Sequence, residues 1–544
     1  MSHIKFIIVS IVTAGLLSGC GKFLDESPKS DLQDPGVRAN LQEVYRYDVA
    51  PLYTHLGGYE DSKSLQGTGR GIYDLNTFTT DEAIMPTRGA DWYDGGFWQG
   101  LYTHQWGVRN TAVLATWEYL YQVVMLCNRS LERMALYSEA HPDDEIDPYV
   151  SEVRALRALF YYHLMDLFGH VPLVLEADPE PGKLVQAKRS ELFAFVEREL
   201  RESVPFLEEA YSQQPGVYYG RITRPVAHFL LAKLILNSEV YLDDDWTDGV
   251  RPDGKAHYFM ADGQKLNAWE AVVYYCDRVS AAGYALEPDY ETNFAVFNES
   301  SKENIFVIPM DKTLYTNQFI YLFRSRHYNH AKAYGLGGEN GASATTNVLR
   351  TFGYGTDHQD PRFDLCYFAG PVKDLNGNPV FLDDGVTPLV YEPWAIKLDL
   401  SGKPEEQTAG ARMKKYEVDP TAFKDGKLLD NDIVLFRYAD LLLMRSEAKV
   451  RNGDNGDADL ALVRQRVGAP DRPATLDNLL DERMMELAWE GWRRQDLIRF
   501  GRFSASYDER PRVAGEESGF TTVFPIPESI LDMNPSMRQN PGYQ

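Results

Sequence analysis

The chain has 544 residues, 44% of them hydrophobic and 12% aromatic, which is ample material for a large buried core. Acidic residues outnumber basic ones by 80 to 55, and the resulting charge of −25 argues against nucleic acid or anionic lipid as the main ligand. The four cysteines, at 20, 127, 276 and 366, show no CxxC spacing, so neither a zinc site nor a disulfide framework is indicated. Cys127, Cys276 and Cys366 read as small buried hydrophobes.

The chain opens with Lys5 and an apolar run from Phe6 to Leu17. A spanning helix needs ~20 apolar residues, so this shorter run reads as the core of a signal peptide. It ends in Leu17-Ser18-Gly19-Cys20, which resembles the bacterial lipobox. Residues 1–19 are therefore predicted to be a lipoprotein signal peptide and Cys20 the lipidated residue. Acyl chains add ~0.8 kcal/mol per buried CH₂, enough for several to hold a soluble body on a bilayer.

Helical patterns follow. Val153, Leu156, Phe160, Leu164 and Leu167 keep a spacing of three to four residues, and Gly169 is a good C-terminal stop. "SELFAFVERELRESV" starts at Ser190, a candidate N-cap. "RPVAHFLLAKLILNSEVYL" aligns Val226, Leu230, Leu234 and Tyr241 on one face. Further helices are predicted near 108–137, 267–282, 434–451, 457–467 and 476–499. They fall into antiparallel pairs that resemble tetratricopeptide units, whose repeat is ~34 residues. Two other stretches, 57–105 and roughly 284–432, are dense in Gly, Asn, Asp, Pro and Tyr. "GLGGENGASATT", "DLNGNPVF" and "LDDGVTPL" read as turns and short hairpins. The tail has Pro at 525, 527, 535 and 541 and reads as an ordered strap with at most one helical turn after Pro527.

Several segments in order carry a family resemblance: "CGKFLDESP", "EVRALRALFYYHLMDLFGHVPLV", "GRITRPVAHFLLAKLILNSEVY", "VLFRYADLLLMRSEA", "LLDERMMELAWEGWRRQDLIRFG" and "PIPESILDMNPSMRQNPGY". Together they look like the SusD/RagB family of outer-membrane nutrient-binding lipoproteins. The resemblance implies a mainly α fold, with about four tetratricopeptide-like helix pairs supporting a loop-rich irregular face. It implies one domain over 20–544, with a helical scaffold at about 40–56, 106–283 and 433–500. The ligand-face region would be 57–105 and 284–432, and the strap 501–544. It also implies a job: a lipid-anchored, cell-surface protein of the outer membrane that holds oligosaccharide over a SusC-like TonB-dependent transporter. Peptide is the ligand of some members and remains an alternative, as does a plain helical-repeat scaffold for another protein.

The residues offer no chemistry of their own. A glycosidase needs two carboxylates ~5–10 Å apart across a sugar. Glu486 and Glu490 have a tempting spacing, but Arg483, Arg493 and Arg494 lie among them on the same predicted helix, so ion pairs are expected instead. Asp81 and Glu82 read as structural hydrogen-bond partners. No GxSxG, HExxH or Walker loop occurs, and no cofactor is predicted. "DDDWTDG" at 243–249 fails as an EF-hand loop, because Asp248 stands where Gly is required; a surface calcium built differently stays open.

Binding residues are expected on two loops. In "TTDEAIMPTRGADWYDGGFWQG" the candidates are Trp92, Tyr93 and Trp98, with Arg88 and Asp91. A flat ring stacks on the C–H face of a sugar, and charged or amide groups bond its hydroxyls. "DKTLYTNQFIYLFRSRHYNH" adds Tyr315, Gln318, Tyr321, Arg324, Tyr328 and Asn329. Each competes with a packing role: Trp98 in particular could plug the base of the following helix. Trp117 and Trp489 are assigned to the core.

Overall fold

The computed structural model describes residues 38–180, 182–212 and 215–543. The predicted signal segment and Cys20 lie outside the described residues.

Among the described residues, the scaffold is carried by the helices α1 (Thr111–Ala140), α2 (Asp147–Phe168), α3 (Arg189–Ser203), α4 (Arg224–Leu236), α5 (Ala268–Ala281), α6 (Tyr438–Asn452), α7 (Asp457–Arg466), α8 (Leu476–Leu487) and α9 (Arg493–Arg499). Their ends are written locally. The Asn110 side chain accepts the amides of Ala112 and Val113 at the start of α1, and Asn267 and Glu270 form a capping box on α5. Gly169 ends α2 at φ 67°. A side chain there would also collide with Trp246, since a Cβ would lie 2.5 Å from the ring. At α3 the expectation shifts: the helix begins at Arg189, and Ser190 instead bonds Asp244 through both its amide and its hydroxyl.

Neighbours in sequence pack in space. α1 lies on α2, α2 on α3, α4 on α5, α5 on α6, and α6 on α7 and α8. This is the antiparallel helix-pair architecture predicted. α2 is buried along most of its length, and three of its buried charged residues are paired. Glu152 bonds Arg221, Arg157 bonds Glu199, and Asp166 bonds Arg494. Cys127, Cys276 and Cys366 are buried and free. Trp117 and Trp489 are in the core. Among the described residues, no helix is long and apolar enough to cross a membrane.

Two predicted helices are not continuous. The 434–451 pattern opens with a strand, Ile433–Arg437, which pairs antiparallel with Asn304–Ile308. A short apolar run rich in β-branched residues is ambiguous between the two states. The 476–499 pattern breaks between α8 and α9, where Trp489 takes φ 64° and Gly491 φ 76°.

The irregular region is ordered by small devices. Ser343–Ala344, within "GLGGENGASATT", pairs with Ala83–Ile84 rather than forming a local hairpin. "DLNGNPVF" and "LDDGVTPL" do turn back on themselves, through bridges Lys373–Pro379 and Phe381–Pro388. Two satellite cores sit beneath this face. One joins Ile84, Tyr102, Ile396, Leu400 and Ala409; the other joins Val372, Val380, Leu389 and Tyr391. The strap binds the end of α2: Phe524 N–H donates to Leu167, and the Asn540 amide donates to Phe168. Glu528–Met533 is a six-residue helix, slightly longer than the single turn expected.

Candidate functional site

The turn at 88–96 is built from backbone first. Arg88 and Asp91 exchange two amide bonds of 3.0 Å, and the chain then passes through Trp92, Asp94, Gly95 and Gly96, all at positive φ. A Cβ added at Gly95 or Gly96 would meet nothing within 4 Å, so glycine serves conformation there and not space. Trp92, at φ 63°, carries a strain that a bulky residue rarely bears.

The strain is held by contacts far along the chain. The Trp92 indole N–H donates to the Glu339 carbonyl at 2.9 Å. One ring edge lies on Gly341, where a Cβ would be 2.6 Å from Trp92 Cε2. Trp98 meets it edge to face at 5.9 Å. The result is a partly buried ring of fixed orientation. Tyr93 beside it is 59% exposed and Tyr328 is 41% exposed. Tyr328 donates its hydroxyl to Asp91 at 2.7 Å. Burial, and then the bond to that carboxylate, push its phenol up to about 12, so it stays a neutral donor. Asn329 is spent on structure: its amide holds the Phe381 carbonyl at 2.8 Å, which brings the exposed Phe381 ring to the same rim.

Next to Tyr93 runs an open groove of about 690 Å³. Thr87, Gly89, Ala90 and Gln99 form one side, and Leu398, Asp399, Ser401 and Glu509 the other. The 398–401 segment is fixed to Thr87 by bonds of 3.0 and 2.9 Å. Gln99 donates to the Thr87 hydroxyl at 2.7 Å and to the Trp92 carbonyl at 3.1 Å, and its Oε1 is buried without a partner.

Four expected contact residues sit beneath the surface and revise the sequence reading. Trp98 is buried against Phe78 and Phe97, with its indole N–H given to Asp94 at 2.8 Å. Arg88 is buried and donates to Glu406 and Ala409 carbonyls and to the Ser343 hydroxyl. Tyr321 stacks on Tyr73 at 3.7 Å and accepts the Gly67 amide. Arg324 forms a two-bond pair with Asp74 at 2.7 and 2.6 Å. Rings and guanidinium groups large enough to bind a sugar are also large enough to fill a core, and here they support the turn from below. Gln318 is partly buried, with its amide on the Gly58 carbonyl. Tyr315 is exposed but lines a different cleft.

Sequence reasoning missed Gln99, Asp399, Ser401, Glu509, Phe381 and Glu339. None carries a motif, and each reaches the site only through the fold. The carboxylates of 243–249 cap nearby amides, as Asp243 does for Asp245 at 3.0 Å. Among the described residues, no group of three or more His, Cys, Asp or Glu is placed to hold a metal. Glu486 and Glu490 are buried and bound by basic residues from other elements: Glu486 by Arg362, Arg437 and Arg466, Glu490 by Lys415 and Arg437. The arginines of their own segment pair elsewhere, Arg483 with Asp440 and Arg493 with Asp81.

Residues 256–543 match the model of the SusD family, and residues 22–236 match one described as starch-binding, associating with outer membrane. The chain is 25% identical to the starch-binding protein SusD of Bacteroides thetaiotaomicron, covering 99% of this chain and 98% of that one. A laminarin-binding SusD-like protein superposes with a TM-score of 0.66 at 22% identity, over 93% of this chain and 100% of that one. Surface glycan-binding protein A from Bacteroides thetaiotaomicron, solved with laminarihexaose, gives 0.69 at 17% identity, over 92% of this chain and 99% of that one.

Proposed function

Because this chain belongs to the SusD family, we propose that it is an outer-membrane lipoprotein that binds oligosaccharide or polysaccharide and hands it to a SusC-like TonB-dependent transporter, without catalysis. The observation that carries this reading is the aromatic platform. Tyr93 lines an open groove, Trp92 stands beside it on the same rigid turn, and Tyr328, bonded to Asp91 of that turn, adds a third ring. Rings already fixed lose little entropy when a ligand lands. An open groove suits a chain that runs past both ends of the site. Asp91 and Asp399, both exposed, would bond its hydroxyls.

Buried, arginine-bound Glu486 and Glu490 support a role without hydrolysis, since neither carboxylate can flank a sugar. Cys20 would supply the anchor, and Cys20→Ser should release the protein from membranes. The function is tested by a glycan array on the lipid-free protein, followed by calorimetry with the best ligand and with maltoheptaose and laminarihexaose. Saturable binding to a glycan is expected. Silence across the array, with capture of a peptide or protein instead, would overturn the reading. Purification in mild detergent from cells grown on the bound glycan should bring down a large β-barrel partner, and repeated isolation of the chain alone would count against that part.

A further inference from the structure

A deeper cleft, of about 600 Å³, lies away from the platform. Its walls are the 45–63 segment, Tyr119 and Gln122 of α1, the 219–221 turn and residues 308–317. Six tyrosines line it: Tyr45, Tyr53, Tyr59, Tyr119, Tyr219 and Tyr315. Three spend their hydroxyls inside the protein, Tyr53 on Glu152, Tyr119 on the His55 carbonyl and Tyr219 on Asp432. Tyr59 and Tyr315 stand at the mouth, 59% and 46% exposed.

The walls are close and rigid. A Cβ at Gly57 would lie 2.7 Å from Asn317 Cγ, and one at Gly220 would lie 2.3 Å from Pro309 Cγ. Tyr45 sits on a π-helical turn, Tyr45–Val49, a local widening found often at functional positions. The charged groups of the lining are matched. Arg221 pairs with Glu152 at 2.5 Å and Lys63 with Glu60 at 2.5 Å. Burial holds His55 below its ordinary value, and so neutral. A lining of rings, amides and matched charges favours an uncharged, polyhydroxylated ligand over an ionic one. The volume is within the range of sites that enclose small molecules.

We propose that this cleft is a second carbohydrate site, separate from the platform, that takes the end of a neutral glycan or a free saccharide of about two or three sugar units. The proposal rests on the reading of the protein as a glycan binder. One segment links the two sites: 315–328 starts with Tyr315 in the cleft and ends with Tyr328 on the platform. Between them it is pinned by Gln318 to Gly58, Ile320 to Gly67 and Arg324 to Asp74.

The test uses the Trp92→Ala protein, whose platform is impaired, and a panel of maltose, laminaribiose, cellobiose, mannobiose and xylobiose. Ligand-observed NMR should show that at least one disaccharide still binds. Adding Tyr59→Ala and Tyr315→Ala should weaken that binding at least tenfold, while the melting temperature stays that of the parent, because both rings are exposed. Crystals of the wild-type protein soaked with the same sugar should show it between Tyr59 and Tyr315. The proposal is overturned if no disaccharide binds Trp92→Ala protein, if the tyrosine substitutions leave binding unchanged, or if soaked sugar appears only at the platform. The platform reading fails separately, if a long glycan binds wild type and Trp92→Ala protein equally well.

Discussion

Trp489 and Trp92 take the same unusual backbone, φ 64° and 63°, in opposite surroundings. Trp489 is 2% exposed, between α8 and α9. Its amide is held by the Glu82 carboxylate and its carbonyl by the Tyr73 hydroxyl. Around it runs a buried network in which Arg437 alone touches Glu303, Glu486 and Glu490. Trp92 is held by two hydrogen bonds, its indole to the Glu339 carbonyl and its own carbonyl to the Gln99 amide, and by two ring contacts, and part of its surface stays open. Strain of roughly 1–3 kcal/mol needs compensation in either place. At Trp489 buried contacts on every side provide it, and the segment serves the fold. At Trp92 support comes from fewer contacts, and part of the ring stays open to solvent.

The comparison breaks first at the network. Arg437→Met should take from three buried carboxylates the one cation that they share, leaving Glu303, Glu486 and Glu490 only their other partners, and cost about 3–5 kcal/mol. Urea denaturation would read this as a lower midpoint. The glycan affinity of the molecules that remain folded should not change. A variant as stable as the parent would mean that the network is dispensable.

Acid should attack the same region. Burial pushes the Glu447 carboxyl up, but Arg499 and Arg451 outweigh it and hold it at about 2, below its ordinary 4.5. A depressed carboxylate contributes stability that is present above its unfolded value and is lost as pH falls toward its folded one. Unfolding free energy should therefore drop between pH about 4.5 and about 2, by about 3 kcal/mol from this group. Glu447→Gln should be less stable at neutral pH and show a shallower acid slope. A slope identical to wild type would remove Glu447 from the account.

On the other side of the comparison, Trp92→Ala should weaken glycan binding by roughly ten- to a hundredfold, taking ring stacking at ~1–3 kcal/mol by analogy with base stacking. Calorimetry reads the affinity, and thermal melting of the same sample reads the fold. Alanine keeps the Cβ that makes the positive φ costly, and the ring it loses is only partly buried, so melting should fall by no more than a few degrees. A large loss of stability with unchanged affinity would place Trp92 with Trp489, as a packing residue. The smallest expected effect is Tyr328→Phe, which keeps the ring and deletes the hydroxyl on Asp91. A single hydrogen bond contributes about 0.5–1.5 kcal/mol, so affinity should change by less than about tenfold. A greater loss would show that the Tyr328–Asp91 pair contacts the ligand directly.

Local signals determined a good part of this molecule. The three-to-four spacing in 151–168 gave α2, because a helix buries its face through residues one turn apart. Asn110, Asn267 and Gly169 marked ends through bonds and angles that involve only their neighbours. The mainly helical, paired architecture follows from such patterns in series. Tertiary structure decided what periodicity cannot express. It broke 476–499 at Trp489 and Gly491, where Glu82 and Tyr73, both distant in sequence, hold the Trp489 amide and carbonyl. It also sorted the aromatic residues of 92–98. Trp92 and Trp98 are six residues apart in similar company, yet one remains partly open and the other is buried. The difference lies in Glu339, Gly341 and Phe78, and in the Arg324–Asp74 pair beneath, all distant in sequence from the turn or outside it. A ring's chemistry is fixed by its residue type, but its exposure is set by whatever the rest of the chain places against it.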